Sequence, residues 1–320
     1  MKNNPKIVAI GGGTGLATML RGLKEYTEEI TAIITMCDDG GGSGVLRQDL
    51  GMLPPGDIRN CLLALADTEP ILEKLFNYRF DDGMLRGQSF GNLFIAAMYG
   101  ITGNFEEAVR RAKEVLAVTG AVVPVTAQDV RMCATFEDGH EVFGESKIAS
   151  AKKSDCRIKN VSLVPSKVEP ADGVLESINE ADIIILGPGS LYTSIIPNLL
   201  VEGVADAISS SKSPKVLVCN VMTQPGETDG YTAFDHVKAI NEHVGGNILD
   251  YCIVNTGHMR EDVLKKYRED NQVPVEVDEE KFETAGVKLI KADLSADGQD
   301  LARHNSEKLA KYLYEHFIKD

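Results

Sequence analysis

Lys6-Ile7-Val8-Ala9-Ile10-Gly11-Gly12-Gly13-Thr14-Gly15-Leu16 is the stretch on which the fold turns. Lys6–Ile10 is a short β-branched run, and the glycine turn follows it without a break. Beyond the turn Leu16, Met19, Leu20 and Leu23 recur at helical spacing, so the order is strand, turn, helix. Ile30–Met36 reads as a second strand that closes on Cys37-Asp38-Asp39, and the whole predicts a right-handed βαβ unit.

Asp57 to about Leu116 is patterned as helix. Residues 120–165 change character: Val122, Val123 and Val125, then Cys133–Phe136, a Glu137-Asp138-Gly139-His140 turn and Val142-Phe143. Such short runs around an Asp-Gly turn predict antiparallel hairpins, set as an insertion or small lobe beside the main sheet. Ile183–Leu186, Val216–Cys219 and Tyr251–Val254 are continuous apolar runs, and Val287–Ile290 is broken only by Lys288, as expected of parallel strands covered on both faces. A helical stretch follows each, the last with Leu301, Leu309, Tyr312, Leu313 and Phe317 on one stripe. The expectation is one α/β domain over 1–320: a three-layer, mainly parallel Rossmann-like sheet with helices on both faces and the hairpin insertion at about 120–165.

A 43% apolar content is ample for a core of that size, and no stretch approaches the roughly 20 apolar residues of a membrane span. The amino terminus runs almost directly into a strand with no signal-peptide pattern, which predicts a cytoplasmic protein. Six cysteines without a C-x-x-C pair read as small hydrophobes. The net charge of −15 argues against a nucleic-acid surface. It also means that an anionic ligand must be held by local backbone dipoles and a few placed cations.

Open α/β sheets bind ligands outside the carboxyl ends of their strands. After the first strand, Gly11, Gly12, Gly13, Thr14, Gly15 and Leu16 open a helix whose N–H groups and dipole suit a phosphate. The spacing is neither G-x-G-x-x-G nor a P-loop. After the second strand come Asp38, Asp39, Ser43 and Gly44; the carboxylates suit ribose hydroxyls, a Mg²⁺ ion, or a solvated turn. Asp57 is placed to cap the next helix beside Asn60, and Arg59 to fork onto a phosphate or pair with a local acid. Gly187-Pro188-Gly189-Ser190, with Tyr192, Thr193 and Ser194, is a second glycine turn, crowded with hydroxyls. Asn220, Thr223, Gln224 and Asn255 follow later strands and fit base or sugar recognition, or helix capping.

Two further patterns carry no weight. Gly87-Gln88-Ser89-Phe90-Gly91 spells a nucleophile elbow, but the charged, glycine-broken run before it is no strand. The six histidines are far apart and form no H-E-x-x-H, so a zinc site has no support.

Taken together, Gly11–Leu16, Asp38–Gly44, Pro54–Leu62, Ser89–Leu93, Gly187–Ile195, Asn220–Thr228 and Arg303–Asn305 closely resemble the YvcK-type gluconeogenesis factors. These form a branch of the CofD-like family, whose enzymes transfer 2-phospho-lactate to a deazaflavin. The likeness runs over essentially the whole chain. It implies a cytoplasmic protein needed for normal cell shape under gluconeogenic growth, with relatives that bind UDP-sugars such as UDP-N-acetylglucosamine. No catalytic activity is established for that branch, and Arg303 would help hold the pyrophosphate. Gly42 stands where the family pattern has a second Ser, and Val45 where it has Arg, which weakens a phosphate clamp in that loop. Gly187–Tyr192 departs from the Ser-Asn-Pro of the transferases, which counts against deazaflavin transfer.

Three functions therefore compete: a nucleotide-sugar-binding regulator of cell shape, a Mg²⁺-dependent transferase of a phosphorylated substrate with the metal on Asp38 and Asp39, and an NAD(P)-binding oxidoreductase. The ligand expected is a UDP-sugar or another dinucleotide-like molecule. The partners expected are a second copy of the chain and proteins of cell-wall synthesis or signalling, with neither nucleic acid nor membrane among them.

Overall fold

The computed structural model describes residues 4–67, 69–150, 156–296 and 301–319. The chain begins β1 (Ile7–Gly11), α1 (Gly13–Leu23), β2 (Ile30–Ile34) and continues through α2 (Gly41–Leu50), α3 (Gly56–Leu65), α4 (Pro70–Asn77), α5 (Phe90–Thr102) and α6 (Phe105–Val115). Next come β3 (Ala121–Pro124), β4 (Arg131–Phe136), β5 (Glu141–Phe143), α7 (Glu145–Ser150) and β6 (Ile158–Val164). The parallel strands then resume as β7 (Ile183–Leu186), β8 (Lys215–Val218), β9 (Tyr251–Asn255) and β10 (Lys288–Ala292), separated by helices.

Seven strands form one parallel sheet in the order β10-β9-β8-β7-β1-β2-β3. Ile7 to Gly11 pair with Ile30 to Ile34 on one side, and Ile7 to Ile10 with Ile183 to Leu186 on the other. Every residue of β1 and β7 is buried, as continuous aliphatic runs require when helices cover both faces. α1 lays Leu16, Met19, Leu20 and Leu23 on the core. Its other side meets the helix Ser306–Phe317, where Gly22 approaches the Ser306 carbonyl and the Ser306 hydroxyl donates to Thr18 O at 2.6 Å.

The antiparallel expectation is met by a three-stranded sheet, β5-β4-β6. Its boundary differs from the pattern read in sequence, because β3 runs parallel to β2 as the last strand of the large sheet. The C-terminal helix also starts later than the stripe suggested: Asn305 caps it, accepting the Lys308 N–H, and Leu301 lies before it, half exposed. Among the described residues no single helix is long and apolar enough to cross a membrane.

Candidate functional site: a cleft at the topological switch point

From β1 the chain winds towards β2 and β3, whereas from β7 it winds towards β8, β9 and β10. Connections leave these two adjacent strands in opposite directions, and such a switch point opens a crevice at the carboxyl edge. Here the crevice is floored by the turns that follow β1 and β7. The two touch backbone to backbone: a Cβ on Gly15 would lie 2.6 Å from Pro188 O, and one on Gly189 would lie 3.2 Å from Gly12 O. Asn198 ties them from below, its Nδ2 donating to Gly11 O at 3.2 Å and to Ser194 O at 2.7 Å. At the start of α1, Gly12 is extended and makes no side-chain cap, and the first turn carries no acidic residue. Of the N–H groups of that turn, the Gly13 N–H is engaged by the Asp57 carboxylate, and the rest are available at the crevice as anion donors.

The cavity above the turns holds about 600 Å³, within the range of small-molecule sites. Of the residues expected from sequence it gathers Gly12, Gly13, Thr14, Gly15, Asp38, Asp57, Pro188, Gly189, Ser190, Thr193, Ser194, Asn220, Thr223, Gln224 and Arg303. Ser190 Oγ accepts from Thr193 N at 3.3 Å and from Thr193 Oγ1 at 2.7 Å, and itself donates to Glu227. Asn220 Oδ1 accepts the Gly189 N–H at 3.2 Å, so the loop after β8 braces the second turn.

Other expected residues stand outside the lining. Gly11 is the end of β1, and Leu16 is fully buried in the core. Asp39 accepts the Ser146 N–H at 2.8 Å and so anchors the start of α7. Ser43 is buried, and Gly44 presses on the Asp39 backbone. Arg59 turns away: its Nη1 donates to Ser89 Oγ at 2.5 Å and Asn92 Oδ1 at 3.0 Å, and its Nη2 to Asn60 Oδ1 at 2.7 Å. The cause is helical geometry, since two positions along α3 rotate a side chain by about 200° and Asp57 already faces the cleft. The Gly187 N–H donates to Ile10 O at 2.9 Å, continuing the sheet. Tyr192 is buried against the antiparallel sheet, its hydroxyl 2.7 Å from that of Tyr231. Asn255 accepts from the N–H groups of Gly257 and Leu294 at 3.1 and 2.9 Å and so holds the loops after β9 and β10.

Thr35, Glu145, Glu227, Tyr267, Gln272 and His304 also line the cavity. Glu227 and His304 adjoin residues that sequence singled out. Glu145 carries no local signal, because α7 brings it in from the antiparallel sheet.

The electrostatics are mixed. Burial and then the Asp38 charge push the Asp57 carboxyl up to about 6, with the Gly13 backbone N–H opposing. Burial, then Asp38 and Glu227, push Glu145 up to about 8, and burial raises Glu227. Burial lowers His304 to about 4, which keeps it neutral at pH 7. Its Nε2 and the Thr35 hydroxyl are buried without a hydrogen-bond partner. Arg303 is the one Lys or Arg among the lining residues described.

Of the pair expected to hold Mg²⁺, Asp38 accepts from Gly40 N at 2.9 Å and Asp39 from Ser146 N at 2.8 Å, each through one carboxylate oxygen. Among the described residues no three His, Cys, Asp or Glu side chains converge to hold a metal.

The sequence profile described as 2-phospho-L-lactate transferase CofD matches residues 7–295. The chain belongs to the CofD family. Within this family it is 57% identical over 312 residues to a Thermoanaerobacterium thermosulfurigenes protein, covering 97% of this chain and 96% of that one. A Bacillus subtilis relative, named gluconeogenesis factor, is 46% identical over 314 residues and 98% of both chains. A Bacillus halodurans protein, of known crystal structure, superposes with a TM-score of 0.93 at 46% identity over 97% of this chain and 99% of that one. CofD-family membership and the parallel sheet with its small antiparallel companion therefore agree with what the seven loops implied.

Proposed function

We propose that the chain is a gluconeogenesis factor that binds a nucleotide sugar of the UDP-sugar type in the switch-point cleft and regulates cell shape in the cytoplasm through that binding. The observation that carries this reading is the backbone contact of the two glycine turns under one cavity, where α1 donors and Arg303 can share a diphosphate. Ser190, Thr193, Asn220 and Gln224 supply hydroxyl and amide groups suited to a sugar and a base edge. The name borne by the Bacillus subtilis relative supports the physiological half. Calorimetric titration with UDP-N-acetylglucosamine should give saturable heat with no product over hours. Heat of dilution alone would sink the proposal.

A second reading, transfer of a phosphorylated group, is favoured by the family description and by Asp57. A carboxyl held near pH 6 beside an anion-binding turn is matched to accept the proton of an attacking hydroxyl. Nucleotide release from a phospho-lactate-bearing nucleotide in the presence of Mg²⁺, abolished by Asp57→Asn, would favour it over regulation.

A further inference from the structure

The cavity has two unlike ends. By strand order, the floor turns after β1 and β7 lie between the loop after β2 on one side and those after β8, β9 and β10 on the other. On the second side Met222, Tyr267 and Ala302 belong to a small apolar cluster, separate from the main core, and line the cavity beside the Gln224 and Gln272 amides. On the first side the lining is Thr35, Asp38, Asp57, Glu145 and Ala149, with no aromatic ring, no amide side chain and no Lys or Arg among them. Glu145 is the acid carried there by the antiparallel sheet, and its backbone is pinned on both sides. Gly144 N donates to Met132 O at 2.8 Å, and with φ +100° Gly144 sits so close to Asp39 that an added Cβ would collide with Oδ2. Ser146 N donates to Asp39 Oδ1 at 2.8 Å, and Ile148 is fully buried. The charged groups around the Glu145 carboxyl are Asp38, Asp39, Asp57 and Glu227, all of them acids. Among the described residues no donor is set against that carboxyl, so a half-buried polar group is left for a ligand to satisfy.

Given a UDP-sugar in the cleft, the reading proposed above, we infer that Glu145 is the residue that reads the sugar, hydrogen bonding to its hydroxyl and amide groups at the acidic end while the base lies at the apolar end. Chemistry assigns the ends. A phosphate is repelled by the clustered acids and belongs over the turns, where the α1 dipole favours it. A base takes an aromatic or apolar face and amide partners, which Tyr267, Met222, Gln224 and Gln272 offer. A sugar ring is neutral and rich in O–H donors, the groups that carboxyl oxygens accept. The acidic end has no face for a base and no cation for a phosphate, and so suits the sugar alone of the three parts of the ligand.

Titration calorimetry of the full chain with UDP and with UDP-N-acetylglucosamine tests this. Glu145→Ala should bind UDP-N-acetylglucosamine about tenfold more weakly, the loss of one or two hydrogen bonds, and UDP within about twofold of the parent. The unchanged UDP affinity shows that the cleft of the variant is intact. Should Glu145→Ala fail to fold, Glu145→Leu, closer in size, carries the same expectation. Glu145→Gln keeps an acceptor oxygen in place and should retain most of the preference for the sugar-bearing ligand. Gln272→Ala, at the other end, should weaken both ligands by the same factor, about fivefold. Glu145→Ala with the parent's affinities overturns the inference. Equal weakening of UDP and UDP-N-acetylglucosamine by Glu145→Ala overturns it too, because the nucleoside would then lie at the acidic end. A parent chain that binds neither ligand removes the UDP-sugar reading itself, and the role of Glu145 with it.

Discussion

Gly15→Ala tests whether the two turns must touch. The added Cβ would sit 2.6 Å from Pro188 O and 3.1 Å from its carbonyl carbon, and both are backbone atoms with no rotamer to escape into. Overpacking of this kind costs about 1–3 kcal/mol. At about 2 kcal/mol, with an unfolding entropy near 2.1 cal/mol/K per residue over 320 residues, Tm should fall by roughly 3 °C. Separating the turns also pulls the α1 donors away from Ser190, so UDP-N-acetylglucosamine should bind about tenfold more weakly, the equivalent of one charge-assisted hydrogen bond. Gly139→Ala is the control. Gly139 has φ +88° with nothing within 4 Å of an added Cβ, and it lies in the turn before β5, outside the cleft lining. There the left-handed strain of about 1–2 kcal/mol should lower Tm and leave affinity alone. Scanning calorimetry and titration read both quantities. Gly15→Ala with the parent's Tm and affinity would refute the contact as the basis of the site.

Arg303→Ala should weaken nucleotide-sugar binding tenfold or more, about 1.5–3 kcal/mol, with Tm unchanged because the side chain is exposed; titration and calorimetry check it. Asp57 is raised from 3.8 to about 6, so its stabilising contribution is complete below about pH 4 and is lost as pH rises through 6; Glu145 extends the loss towards pH 8. Asp57→Asn should therefore raise Tm at pH 7.5 and leave it little changed at pH 4, as thermal melts across that range would show. Affinity for a phosphate-bearing ligand should likewise be tighter at pH 5.5 than at pH 8, since ionised carboxylates repel it. Thiol titration of the native protein should label Cys156 first, because Cys37, Cys61, Cys133, Cys219 and Cys252 are buried; simultaneous labelling of all six would contradict the packing.

What was legible in the sequence was whatever is encoded locally. β1 and β7 are aliphatic throughout apart from the closing Gly11, and β8 and β9 are apolar apart from their end residues Lys215, Tyr251 and Asn255, a pattern asked for by strands covered on both faces. β3 was placed with the antiparallel strands because, as the terminal strand of the large sheet, it alternates half-buried and buried residues and so imitates a hairpin strand. Leu301 matched the helical stripe by spacing, but Asn305 sets where the helix can begin. In the site, glycine turns and hydroxyls announced themselves. Arg59 did not announce its direction, which depends on where α5 lies, and Glu145 reaches the cleft only because β4, β5 and β6 carry α7 over it.

An acidic chain with buried carboxylates is an improbable host for a diphosphate until the sources of positive potential are separated from net charge. The α1 donors are backbone dipoles fixed at the floor, while burial raises Glu145 to about 8, which leaves it largely protonated at pH 7, and Asp57 to about 6, which protonates it only in mild acid. A protonated carboxyl is a hydrogen-bond donor, so the same side chains that would repel an anion when ionised can help hold it when neutral. Glu227 is occupied by the Ser190 hydroxyl, which donates to it. Among the described lining residues only Arg303 carries a permanent positive charge. On the proposed reading, the anion is drawn in by Arg303 and held by the dipoles within, so selectivity would rest on the geometry of the two turns rather than on charge.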